Sequence, residues 1–123
     1  MEKNIQTQFV RSTQVEWKPL IESGVKTDGI YLKVLRNDEK TKRSPTILLK
    51  FEPGATYPAH NHPEGEEVFV LEGEVKFGNN NLSVGDYLYT PPNGKHAVWS
   101  KTGCVMLLNI PEEVEILKQQ TFG

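Results

Sequence analysis

"GATYPAHNHPEGEEVFVLEG", residues 54–73, holds two of the chain's three histidines beside a cluster of acids. His60 and His62 stand two apart in a run that reads as extended, so both rings leave the same face of a strand and Asn61 points away. Pro63 and Gly65 then turn the chain. Glu66 opens the next apolar run, and a reversal of that length can bring its carboxylate alongside the two imidazoles. A solvated turn would carry this composition by accident, whereas a metal site requires it.

His96 follows thirty residues later at the head of another run, just after "PPNGK". If that strand lies beside the first, a third imidazole enters the same space. Three neutral imidazoles and one carboxylate suit a divalent transition metal, with bonds of roughly 2.0–2.2 Å. Zinc, iron(II), manganese, nickel and copper all accept such donors, and the lack of nearby thiolates argues against a purely structural zinc knot. This donor set leaves positions open on a five- or six-coordinate metal, as catalysis or ligand sensing requires. The expected ligands are His60, His62, Glu66 and His96.

Strand parity extends the picture. It turns Thr56 and Pro58 inward with the histidines, Val68 and Val70 with Glu66, and Val98 and Ser100 with His96. Either Cys104, Met106 and Leu108 or the alternate set Val105 and Leu107 lines the cavity. Glu67 points outward, solvated or paired with a cation. Tyr57, Tyr87, Tyr89 and Trp99 read as packing residues, and the single cysteine as inert. With all three histidines committed, no Ser-His-Asp arrangement is available.

Around this centre lie many short runs divided by turn residues. "GIYLKVLRND" alternates, with Ile30, Leu32 and Val34 against Tyr31 and Lys33. "TILLKFEPG" sets Ile47, Leu49 and Phe51 opposite Lys50. "EVFVLEGEVKFG" reads as two strands about a tight turn at Glu72-Gly73. "NLS", "YLYT", "HAVWS" and "CVMLLNI" add further strands. This spacing predicts an all-β sandwich or barrel, and ten glycines and eight prolines suit its corners. A short helix is expected over Pro111–Gln120, with proline at its first position and acids behind it. "TQVEWKPLIESGVKTDG" reads as an irregular arm laying Trp17 and Leu20 over the barrel or over a partner subunit.

The 123 residues suit a single domain, with a core at about 29–110, an arm at 1–28 and a tail at 111–123. Net charge is −2, and no basic stretch is dense enough to track phosphates, so nucleic acid is not an expected partner. No apolar run approaches the roughly 20 residues of a membrane span, and no secretory leader is visible. One cysteine permits no internal disulfide, which points to the cytoplasm.

Residues 54–73 resemble the first motif of the cupin superfamily: a glycine, His-x-His, a glutamate, then a glycine. Counting back from Gly73 selects Glu66, not Glu67, as the ligand-type acid. "GDYLYTPPNGKHAVWS" (85–100) resembles the second motif, with a proline-rich turn before His96. Two departures stand out: the glycine after the prolines is displaced to Gly94, and Ser100 replaces a closing asparagine. A looser likeness from about Glu16 to Ile110 is similar to the cupin domain of ChrR-type anti-sigma factors and to small stand-alone, dioxygenase-like cupins.

The resemblance implies a double-stranded β-helix, the RmlC-like jelly-roll barrel, with the four ligand-type residues at its centre. It further implies a small-molecule ligand in the barrel and one of three roles. The chain is a metal-dependent oxygenase acting on a small diketone-like or aromatic ketone-like substrate, a ChrR-like metal-binding sensor without catalysis, or a barrel merely stapled by its metal. Edge strands rarely stay bare, so a homodimer is expected.

Overall fold

Alternating runs of β-branched and aromatic residues dominate the chain, and they form strands. The computed structural model describes residues 7–38, 43–109 and 115–116. A 3-10 turn at Ser12–Gln14 is followed by β1 (Lys18–Pro19), β2 (Ile30–Asp38), β3 (Arg43–Phe51), β4 (Thr56–His62) and β5 (Glu66–Phe77). Then come β6 (Asn80–Ser83), β7 (Tyr87–Thr90), β8 (Gly94–Trp99), β9 (Cys104–Asn109) and β10 (Glu115–Ile116). There is no α-helix among the described residues. The strands run in the order β1-β2-β3-β9-β5-β8-β4-β10, with β6 and β7 also paired to β5. This is the all-β jelly-roll architecture that the motifs imply.

β5 makes the closure. Its first half pairs with β7 and β9, its last four residues with β6, and the final two of these also with β8. One strand therefore serves both layers, and the tight turn expected at Glu72-Gly73 is instead a bend inside it. The ladder slips between Val70 and Glu72, and Gly73 adopts φ 74°. A Cβ at Gly73 would strike the Gly103 carbonyl oxygen. Glycine gives the same local signal for a bend as for a reversal; the separate ladder partners of the two halves decide for the bend. The slip also flips parity, so Val68 and Val70 face inward before it and Val75 and Phe77 after it.

The core gathers these residues with Ile30, Phe51, Tyr57, Leu82, Val98, Cys104, Met106 and Leu108. Of the two candidate faces of β9, the inner one is therefore Cys104, Met106 and Leu108. Ile47 and Leu49 pack against the core as expected. Val34 does not: it is exposed, beside a register shift between Val34 and Arg36.

Lys33, on the outer face, is buried because the N-terminal arm folds onto its own barrel. Lys33 Nζ donates to the Ser12 carbonyl at 2.6 Å and lies 4.6 Å from the Trp17 ring centroid, with Lys50 Nζ 4.8 Å from the same ring. These are cation–π contacts that cover the lysine stems as well as their charges. β1 then pairs with β2, and Leu20 packs against the core.

The helix expected over Pro111–Gln120 is corrected at Glu115 and Ile116, which pair with Asn61 and His60 as β10. The rest of that stretch lies outside the described residues. Ladder bonds to the open edge of β4 outweigh a helix propensity worth only tenths of a kcal/mol per residue.

Gly73→Ala should lower unfolding free energy by about 3 kcal/mol, from backbone overlap and a strained φ. Gly54→Ala, at φ 87° with open space around it, should cost about 1 kcal/mol. Urea denaturation of both variants measures the difference; equal losses would mean that the bend at Gly73 is not tightly packed.

Candidate metal centre

β4 and β8 are antiparallel neighbours whose register sets His60 opposite His96 and His62 opposite Gly94. The chain leaves β4 through a turn in which Gly65, at φ 89°, donates its N–H to the His62 carbonyl at 3.2 Å. Glu66 then begins β5. A Cβ on Gly65 would lie 2.7 Å from the Thr90 carbonyl oxygen, so only glycine fits there. The second loop is tied to the same carbonyl, since Asn93 N donates to His62 O at 2.6 Å. The displaced glycine is thereby explained. Asn93 takes the left-handed position at φ 67°, and Gly94 is needed because a Cβ would collide with the Thr90 side chain. Ser100, in place of the motif's asparagine, is fully buried and donates to the Glu74 carbonyl at 2.6 Å.

His60, His62 and Glu66 are buried, and the His96 side chain is 8% exposed. The Nε2 atoms of His60 and His62 are 2.9 Å apart, and those of His62 and His96 3.2 Å. Glu66 Oε1 lies 3.2 Å from His62 Nε2 and 3.3 Å from His96 Nε2, so it joins from the side of those two rings. Glu67 points outward and accepts a hydrogen bond from the Tyr87 hydroxyl at 2.7 Å. Of the two adjacent acids, Glu66 is the one that faces the interior.

His60 Nδ1 is 2.8 Å from the Pro58 carbonyl, which can only accept, so Nδ1 carries the hydrogen and Nε2 turns its lone pair toward the other donors. Glu66 Oε1 has only the His62 and His96 nitrogens beside it, and His62 Nδ1 is buried without a hydrogen-bond partner. Burial pushes the His60 pKa down to about 4; the Pro58 carbonyl opposes this, His62 and His96 add to it, and Glu66 opposes it. Burial alone would raise Glu66, but hydrogen bonds and charge from His62 and His96 together outweigh it and hold the carboxyl below its usual value. A neutral His60 ring and an ionised acid suit a cation. Metal bonds of about 2.1 Å at right angles separate neighbouring donors by roughly 3 Å, which the observed spacings match. The three histidines can hold a metal ion.

Two aromatic rings brace the cluster. Tyr57 meets His60 edge-on at 4.9 Å between centroids, and Phe77 meets His96 edge-on at 5.1 Å. Tyr57 faces inward because the β4–β8 register shifts between Tyr57 and His60. The same shift corrects the expected lining: Thr56 is exposed and Pro58 only half-buried. Val68, Val70, Val98 and Ser100 are buried as parity predicts. Phe77 escapes sequence reasoning because its inward position depends on the parity flip in β5. Glu22, in the arm, accepts from the Tyr57 hydroxyl at 2.5 Å, and no local pattern announces that pairing. Burial, then this hydrogen bond and the carboxylate charge, keep the phenol protonated. Cys104 is buried and its thiol pushed up by burial, as fits a packing residue.

The chain matches the ChrR cupin-like domain over residues 5–112. It superposes on a Methylibium petroleiphilum protein provisionally described as an acetylacetone dioxygenase, with TM-score 0.85 and 22% identity, covering 96% of this chain and 85% of that one. An acetylacetone dioxygenase from Acinetobacter johnsonii gives 0.84 at 14% identity, covering 96% and 83%. The Rhodobacter sphaeroides complex of SigE with the anti-sigma factor ChrR gives 0.66 at 20%, covering 81% of this chain and 50% of the matched one. At these identities the likeness is one of fold. In sequence, 64 residues are 33% identical to the DNA damage-repair/toleration protein DRT102 of Arabidopsis thaliana; this covers 46% of the chain and only 21% of that protein. The family match spans nearly the whole barrel and both histidine-bearing strands, and the chain is a member of the ChrR cupin-like domain family.

Proposed function

We propose that this chain is a metal-dependent cupin enzyme of the oxygenase type. His60, His62, His96 and Glu66 would hold a divalent transition metal, and the substrate would be a small diketone-like or aromatic ketone-like molecule. The observation that carries the reading is the crowding of four donor atoms, spaced 2.9–3.3 Å along the chain of contacts, in a buried place. A bound metal would supply Lewis acidity and, as iron(II), the capacity to activate dioxygen. The protein's part is positional. The Pro58 carbonyl fixes the His60 tautomer, and Tyr57 and Phe77 hold two rings from outside. The apolar residues beneath keep bulk water away. Glu66 offsets part of the cation's charge, leaving a site that favours an anionic, oxygen-bearing ligand.

Membership of the ChrR-like family favours a second reading, in which the same site holds zinc and senses a ligand or oxidant without turnover. The superpositions support the first: the barrel fits the dioxygenase-like chains at TM-scores of 0.85 and 0.84, against 0.66 for the matched chain in the SigE–ChrR complex.

Elemental analysis of protein purified without added metal should find about one iron or similar ion per chain. Oxygen uptake should follow on at least one diketone of a panel and vanish with chelation. Zinc with no uptake would favour the sensor. His62→Ala should lower metal affinity by at least a hundredfold, measured by competition with a chromophoric chelator. Glu67→Gln, which alters only the outward acid, should leave that affinity within about twofold.

Acid should weaken the metal-free protein. The unfolded chain takes up a proton on His60 near pH 6.5, while the folded chain resists until about 4. Stability therefore falls as pH drops through that window, by up to about 3 kcal/mol from this residue, and the depressed Glu66 adds loss at lower pH. Calorimetry from pH 7.5 to 4 should show the melting temperature of the metal-free protein dropping. The extra stability of the metal-loaded form should disappear over the same range, because protons and metal compete for the same nitrogens.

A further inference from the structure

The metal centre uses the inside of the barrel; the outer face of its larger layer carries a different pattern. Ladder register aligns one outward row across five strands. Lys33 on β2 stands opposite Leu48 on β3, Leu48 opposite Leu107 on β9, Leu107 opposite Phe69 on β5, and Phe69 opposite Tyr87 on β7. The arm roofs the β2–β3 half, where Lys33 and Leu48 are 8% and 7% exposed. The β5–β7 half is bare. Phe69 is 40%, Leu71 41%, and Tyr87 and Tyr89 55% exposed. Isolated apolar residues on a surface need no explanation, but a contiguous aromatic and aliphatic group beside a raised, covered half does.

We propose that this face is a homodimer interface, with the arm-covered half of each copy laid on the bare half of the other about a two-fold axis parallel to β9. Charge and shape on the face itself favour a second copy. β9 is the middle strand of the five, so rotation about its direction exchanges β3 with β5 and keeps the rows in line. One row along, Lys50 stands opposite Val105 and Val105 opposite Glu72. The rotation therefore brings Lys50 of one copy over Glu72 of the other, and the reverse, giving two ion pairs that flank an apolar centre. In the central row it brings the arm that roofs Leu48 and Lys33 over Phe69 and Tyr87. The ridge made by the arm with Trp17 falls on the bare strands of the other copy. The alternative in-plane axis, across the strands, would stack ridge on ridge and oppose Glu67, opposite Asn109, to Glu72. Like charges there would repel, so the face is complementary to itself in one orientation only.

Sedimentation velocity of the full chain from about 1 to 100 µM tests this. The wild type should sediment as a dimer over most of the range. Phe69→Glu, on the exposed surface, should sediment as a monomer while retaining its circular dichroism spectrum and melting transition. Lys50→Glu and Glu72→Lys should each weaken dimerisation at least tenfold, and the double variant should recover to within about threefold of wild type. Lys50 also touches Trp17, so loosening of the arm by Lys50→Glu alone would not be repaired by Glu72→Lys. A wild type monomeric at 100 µM, or a folded Phe69→Glu variant that stays dimeric, overturns the proposal. So does a double variant no better than the singles.

Discussion

The β4–β8 ladder is the constraint on which the centre depends. It sets His60 directly across from His96, two residues that are far apart along the chain. The neighbouring turn hangs both loops on one backbone atom, since the His62 carbonyl accepts from Gly65 of the first loop and Asn93 of the second. A slip of one residue in this register would send His96 to the outer face and leave His60 and His62 without their third ring. The glycines that guard the loops act on the same register. Without Gly65 and Gly94 the two turns could not approach Thr90, and the ladder could not close at this end.

That arrangement costs the fold something when no ion is bound. Lone pairs and a carboxylate converge in a buried place, where an unpaired polar group disfavours folding by about 1–3 kcal/mol. A core built only for stability would fill such a place with valine, as the neighbouring inward positions do with Val68, Val70 and Val98. The polar cluster is tolerable because the scaffold around it is over-determined. β5 ties both layers, the arm is pinned by a lysine–carbonyl bond and a tyrosine–glutamate bond, and short strands close both edges. The cost at the centre is a strong indication that the cluster exists for binding.

Much of this was legible in the sequence, and what was not has a common cause. The His-x-His spacing, the acid opening the next run and the prolines before His96 are local patterns, and local patterns carry the site. The hairpin expected at Glu72-Gly73 is a bend because β5 finds different partners on either side of it, which no window of residues reveals. Two of the register irregularities, after Tyr57 and after Val70, each flip parity once. They alone decide that Tyr57 and Phe77 brace the histidines while Thr56 and Pro58 do not. The strand at Glu115–Ile116 answers the open edge of β4 and overrides a sequence with good helical credentials. Periodicity reads a strand's faces correctly until a bulge intervenes, and bulges belong to the pairing, not to the strand.

The placement of the irregularities bears on function as well. Regular strands would turn Thr56 and Pro58 inward on β4, and Lys76 in place of Phe77 on β5. The shifts substitute two flat rings that meet His60 and His96 edge-on. An edge-on aromatic restrains an imidazole's tilt without competing for its lone pair, whereas a hydrogen-bonding side chain there would draw protons into the cluster. Tyr57 does carry a hydroxyl, but it is spent on Glu22, on the arm. The polar end of that side chain is thus directed at the scaffold and its apolar ring at the ligand. The wall around the donors thereby stays free of competing protons, as it must if a cation and a small oxygen-bearing ligand are to share the space.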